Sequence, residues 1–146
     1  MKKIFIAALA LVAAAACGRA DLPLENTQWK LVELDGETNP AFAEEGTFTF
    51  SLNGESITGV GACNRFFGGY ELSQPNGFEL GMMGMTRMAC PNMELEDAFV
   101  RMLDDADAYS IDGDVLMLLC NGEKRAEFKG TAKTARNESE LPTDEQ

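Results

Sequence analysis

The chain predicts a mainly β domain, an antiparallel meander of short strands curled into a barrel-like sheet and accompanied by one helix. Three observations lead there. The dipeptides Asp35-Gly36, Asn53-Gly54, Asn76-Gly77, Asp112-Gly113 and Asn121-Gly122 are tight-turn signals. Between them lie short runs rich in β-branched, aromatic or leucine residues. One stretch alone abandons the two-residue period for a helical one. Strands joined mostly by hairpins leave sheet edges to be managed, and closing or nearly closing the sheet does so.

The elements follow in order. A first strand is expected over 27–34 (TQWKLVEL), ended by Asp35-Gly36. In TFTFSL, 47–52, Phe48, Phe50 and Leu52 share one face and Thr47, Thr49 and Ser51 the other, and Asn53-Gly54 supplies the positive φ angles of a hairpin. Strands over 56–63, 65–72 and 77–81 continue the pattern. Gly59 and Gly61 read as sites of curvature or close backbone approach. The glycine-dense TGVGACN and FGGY lack the lysine and the following helix of a phosphate loop. A non-repetitive connection is expected over 81–92. From Met93 to Ala106 the apolar positions Leu95, Phe99, Met102, Leu103 and Ala106 have helical spacing, with Asn92 as candidate N-cap and Glu94, Glu96 and Asp97 at the positive end of the dipole. Asp104 and Asp105 sit against the dipole, so tertiary packing has to hold the last turn. Strands over 108–112, 114–120 and 125–129 complete the domain.

The flanks differ in kind. Residues 1–16, MKKIFIAALALVAAAA, place two lysines before an apolar run that is shorter than the roughly 20 residues a spanning helix needs, which marks a cleaved export signal. Cys17 follows as in a lipobox, although Ala14 stands where leucine is usual. Acylation there makes residues 17–23 a lipidated tether. Gly18, in place of the aspartate that retains enteric lipoproteins at the inner membrane, points to the outer membrane facing the periplasm. The last segment, 130–146, carries one large aliphatic residue, Leu141, and reads as a disordered acidic tail.

Cleaving the signal leaves 10 basic residues against 24 acidic ones, a net charge of −14. Such a surface does not bind nucleic acid by neutralising phosphates. The chain has no histidine, which removes histidine-assisted nucleophilic chemistry and most zinc or iron sites. No cofactor and no catalytic residues are expected, and the chain reads as a monomer.

The residues with chemical character are sulfur-bearing. Cys63 lies in GACNRFFGGYEL, Cys90 in MTRMACPN and Cys120 in DVLMLLCNG, so three thiols remain once Cys17 is set aside. A disulfide is the default in an oxidising compartment, but three thiols cannot all pair within one chain. Met82, Met83, Met85 and Met88 add thioethers, and together with cysteine they would suit copper(I). Methionine is also the usual filler of irregular gaps.

These stretches, together with LENTQWKLVELDG before them and YSIDGDVLMLL after them, closely resemble the META domain, also called the HslJ-like family, of small bacterial envelope lipoproteins. The likeness spans 24–129. It implies a compact lipocalin-type sheet with one helix, no established catalytic activity, and a link to stress response and envelope homeostasis. Position by position, Cys63 and Cys90 fall on the family's cysteine pair, Asn64 on its asparagine, Phe66, Gly68 and Tyr70 on the strand after it, and Thr86, Arg87 and Met88 on its second motif. Cys120 matches nothing and is expected to stay a buried apolar thiol once the other two pair, and Phe67 replaces a residue that is commonly small and polar.

The resemblance therefore implies a Cys63–Cys90 disulfide. A closed loop of this length stabilises by roughly 3.6 kcal/mol in the chain-entropy model. Asn64, Thr86 and Arg87 are the candidate binding residues, with Asn64 expected to bond backbone at a strand bend. Thr86 and Arg87 are expected either to hold the connection or to recognise an anionic group or partner chain. The function expected is that of a non-enzymatic lipoprotein, anchored to the membrane by lipid, that binds a ligand or protein partner. The alternatives are a protein-interaction or protease-inhibitor module and periplasmic copper(I) handling. Alkylation followed by intact-mass analysis should find two protected thiols and one free one in the native exported chain; three free thiols would refute the bridge.

Overall fold

The computed structural model describes residues 18–133; the signal segment, Cys17 and residues 134–146 lie outside the described residues. Eight antiparallel strands follow one another around a closed ring: β1 (Thr27–Leu34), β2 (Thr49–Leu52), β3 (Ser56–Val60), β4 (Arg65–Ser73), β5 (Gly77–Met85), β6 (Ala108–Asp112), β7 (Val115–Cys120) and β8 (Glu123–Ala132). Helix α1 (Met93–Asp105) stands between β5 and β6. β8 closes the ring on β1, from Thr27↔Ala132 to Leu34↔Ala126. The expected mainly β, barrel-like architecture with one helix is what the chain adopts.

Period-two alternation delivers one apolar face to the interior. Trp29, Leu31, Phe50, Leu52, Ile57, Phe66, Phe78, Leu116, Leu118 and Phe128 are all buried there. α1 adds Phe99, Met102 and Leu103, each fully buried. Phe99 is the plug, since its ring lies 5.6 Å from Phe48, 6.0 Å from Phe66 and 6.2 Å from Phe128, mostly edge-on. The interior is thus filled by side chains, with Tyr70 packed against their margin. The tyrosine is half-buried, and its hydroxyl donates to the Glu25 carboxylate and accepts from the Gly54 N–H at 2.7 Å. Burial, and then the bond to Glu25, push its pKa up to about 12.

Several boundaries moved for physical reasons. Phe48 adopts a left-handed backbone (φ 47°), held by its N–H to Gly61 O and its carbonyl to the Leu31 N–H, both 2.9 Å. β2 therefore opens at Thr49 instead of Thr47. β3 ends at Val60, and a loop carries 61–64. β5 continues to Met85 because β4 keeps pairing with it as far as Phe66↔Met85, so only 86–92 is irregular. β8 runs on through Gly130, Thr131 and Ala132, which had read as tail, because β1 pairs with all three. The one-turn 3₁₀ helix Pro40–Ala43, capped by Asn39, was not foreseen. Asn92 occupies the cap position of α1, but its side chain makes no capping bond. At the other end of the helix Arg125 approaches Asp105 at 3.7 Å and offsets part of the unfavourable charge.

The two ends of the barrel differ. The β6–β7 turn receives the segment before β1: the Asp21 carboxylate accepts the Gly113 N–H at 2.7 Å, and the Leu22 N–H donates to Gly113 O at 2.8 Å. The loops 61–64 and 86–92 and the start of α1 gather at the opposite end. Replacing Phe99 with alanine should cost about 3–5 kcal/mol, read as a lower urea midpoint; an unchanged midpoint would remove Phe99 from the centre of the core.

Candidate functional site

At the helix-capped end, three segments distant in sequence meet around one carboxylate. Glu96 is fully buried. Its Oε2 accepts the main-chain N–H groups of Cys63 and Asn64, each at 2.9 Å, and its Oε1 accepts Asn64 Nδ2 at 2.6 Å. Burial alone pushes the carboxyl upward, but these bonds, with the Ala62 amide adding to them, outweigh it and hold the group below its ordinary 4.5. Gly61 makes room for this contact, since a Cβ there would fall 2.6 Å from Glu96 Cγ. Gly59 likewise makes room for the Phe66 ring, since a Cβ there would fall 2.2 Å from Phe66 Cζ.

Asn64 links the carboxylate to the second motif. Its Oδ1 accepts the Met88 N–H at 2.7 Å and the Thr86 hydroxyl at 2.9 Å, while Nδ2 also donates to Met88 O at 2.9 Å. All of the amide's hydrogen-bonding sides are therefore engaged. The Thr86 hydroxyl accepts the Arg65 N–H at 3.0 Å, and the Thr86 N–H returns a bond to Arg65 O at 3.0 Å. Cys63 and Cys90 are joined as a disulfide with 6.4 Å between their Cα atoms. No buried side-chain nitrogen or oxygen among the described residues lacks a partner.

The motif residues thus converge, and their roles separate. Asn64 fixes backbone, as expected, and Thr86, whose role was open, does so too. Arg87, between two fixed residues, is exposed and makes no hydrogen bond or ion pair among the described residues. It overhangs a surface groove of about 570 Å³ between β5 and α1, floored by Phe66, Met83, Met85 and Val100 and walled on α1 by Arg101 together with the acids Asp97 and Asp104. Glu96 had been read only as a dipole-compensating acid. Its spacing held the clue, because it lies three residues before Phe99 and seven before Leu103, on the buried face of the helix.

Met82 is 95% exposed, whereas Met83 and Met85 line the groove. The donor atoms of Cys63, Cys90 and Glu96 lie within 4.8 Å of one another. Here the two sulfurs are bonded to each other and the carboxylate accepts amides, so the cluster offers no free ligand set. Cys120, expected as a buried thiol, is free and only half-buried at the end of β7.

A family model described as the META domain matches residues 22–133. An NMR structure of a protein from Burkholderia xenovorans aligns with a TM-score of 0.61 at 25% identity, covering 75% of this chain and 85% of that one. A second NMR structure gives 0.57 at 24% identity over 73% and 90% of the two chains. The crystal structure of a DUF4847 family protein from Bacteroides vulgatus gives 0.55 at 16% identity over 76% and 96%, a likeness of fold. No curated protein matches the chain.

Because the Glu96 carboxyl is held below its unfolded value, its contribution to stability is complete above the ordinary glutamate range and is lost as pH falls through the folded value. Glu96→Gln turns an amide N–H₂ toward donors, so it should cost about 3 kcal/mol at pH 7 and flatten the acid limb of stability against pH. Urea midpoints from pH 3 to pH 7 check both, and a parent-like profile would contradict the assignment.

Proposed function

The chain belongs to the META domain family, and from that premise we propose that it is a non-enzymatic envelope lipoprotein whose β domain binds a ligand or partner through the groove between β5 and α1. Acylation of Cys17 tethers it to a membrane, with the outer membrane facing the periplasm as its proposed location and stress response or envelope homeostasis as its setting. Arg87 carries this reading. A guanidinium left exposed and unpaired at the rim of an apolar-floored groove, between residues locked by Asn64, is poised for an external anion. Its neighbours Thr86 and Met88 supply the rigidity that a recognition residue needs.

The tether supports the same assignment. Residues 19–22 leave from the β6–β7 end, with Arg19 4.0 Å from Asp114, so a lipid at Cys17 puts the groove on the side away from the membrane. The filled interior favours an external site over a lipocalin-like cavity. A protein-interaction role uses the same groove.

Arg87→Gln separates recognition from structure. It should leave the melting temperature within about 1 °C, as expected of an unpaired surface residue. Binding of the apolar anionic dye 1-anilinonaphthalene-8-sulfonate should weaken by about tenfold, the worth of one charge-assisted hydrogen bond. A large fall in melting temperature with dye binding intact would return Arg87 to a purely structural role.

A further inference from the structure

The ring of strands is unevenly closed. β5 pairs with β4 along its full length, from Ser73↔Gly77 to Phe66↔Met85. On its other side it meets β6 at the single pair Gly77↔Ala108, with the Phe78 N–H to Asp107 O and the Tyr109 N–H to Asn76 O, both 3.0 Å, beside it. Beyond Phe78, no main-chain hydrogen bond joins β5 to β6 or to α1 among the described residues. Alternate residues of a strand direct N–H and C=O to each side, so 79–85 presents a row of main-chain donors and acceptors to the seam. Natural edges of this length are usually guarded by lysine, proline or a covering element. ELGMMGM has neither lysine nor proline, and α1 stands off across the groove that Met83, Met85 and Val100 line.

We propose that this edge is a docking site for an extended segment of a partner polypeptide, which adds as a further strand beside 79–85 and fills the groove between β5 and α1. The inference rests on the groove being the binding surface and deepens it by naming the ligand class. Only a second main chain matches a row of amides and carbonyls, whereas an acyl chain or a sugar leaves most of them unpaired. α1 forms the facing wall of the groove. Apolar side chains at alternate positions of the segment would rest on Phe66, Met83, Met85 and Val100. Charge selects its end. Of the two arginines that line the groove, Arg87 and Arg101, neither is in an ion pair among the described residues. Arg101 has Asp97 and Asp104 on its own helix within reach, so Arg87 at the Met85 end is left to select a carboxylate on the partner.

The test uses the exported chain purified from envelopes and a panel of labelled octapeptides of alternating valine and threonine, with glutamate at one end, at the other, or at neither. Each has a counterpart N-methylated at alternate amides, which keeps the side chains and removes main-chain pairing. Fluorescence anisotropy should show one glutamate-ended peptide binding best and its N-methylated form about tenfold weaker or worse. Amide exchange should slow within 79–85, and Arg87→Gln should erase the preference for glutamate. Equal binding of the N-methylated form would overturn strand addition. Arg87-dependent dye binding with no peptide bound at 1 mM would overturn the peptide inference and leave the groove standing; loss of both would overturn both.

Discussion

The architecture at the helix-capped end of this domain depends on a carboxylate that has no contact with water. Glu96 belongs to α1, yet it completes the hydrogen bonding of the loop 61–64 on the opposite side of the barrel end. A buried charge is costly unless every lone pair is used, and here main-chain amides and the Asn64 side chain use them. Asn64 then carries the constraint onward to Thr86 and Met88. The helix, the β3–β4 loop and the 86–92 connection are thereby fixed to one another without a contiguous strand between them, and the Cys63–Cys90 bond adds a covalent stitch to the same junction.

Rigidity at this point has a structural consequence. The connection 86–92 crosses the end of the barrel and delivers Arg87 to the groove rim, and it can hold that side chain in place only because the residues on either side are tied down. The seam between β5 and β6 stays open for a related reason. α1 must plug the interior with Phe99, Met102 and Leu103, and a helix inserted between two strands prevents them from pairing along their length. One packing decision thus fills the core and leaves a strand edge beside a groove. The end where residues 19–22 engage the β6–β7 turn lies away from all of this.

Much of this was legible in the chain. Alternation and Asx-Gly turns located the strands because each face of an antiparallel sheet writes itself directly into every second residue, and the break of period at Met93 located the helix. The META likeness found the cysteine pair and Asn64. What the chain hid was set by long-range contacts. Phe48 looks like an ordinary strand residue, and only its bonds to Leu31 and Gly61 impose a left-handed turn there. Met82-Met83-Gly84-Met85 has little β propensity, yet β4 recruits it. Thr131 and Ala132 look like tail until β1 pairs with them. Glu96 was visible by its spacing, but an acid in a first turn has a sufficient local explanation, and its partners lie more than 30 positions away.

The protonation state of that enclosed carboxyl is the most direct test of the account. Carbon-13 chemical shifts of a side-chain-labelled Glu96, followed through an acid titration of the native chain, should show the group still ionised below 4.5 and protonating only as the fold itself begins to fail. A carboxyl that takes up its proton above that value while the domain stays folded would contradict the claim that an ionised Glu96 holds the three segments together.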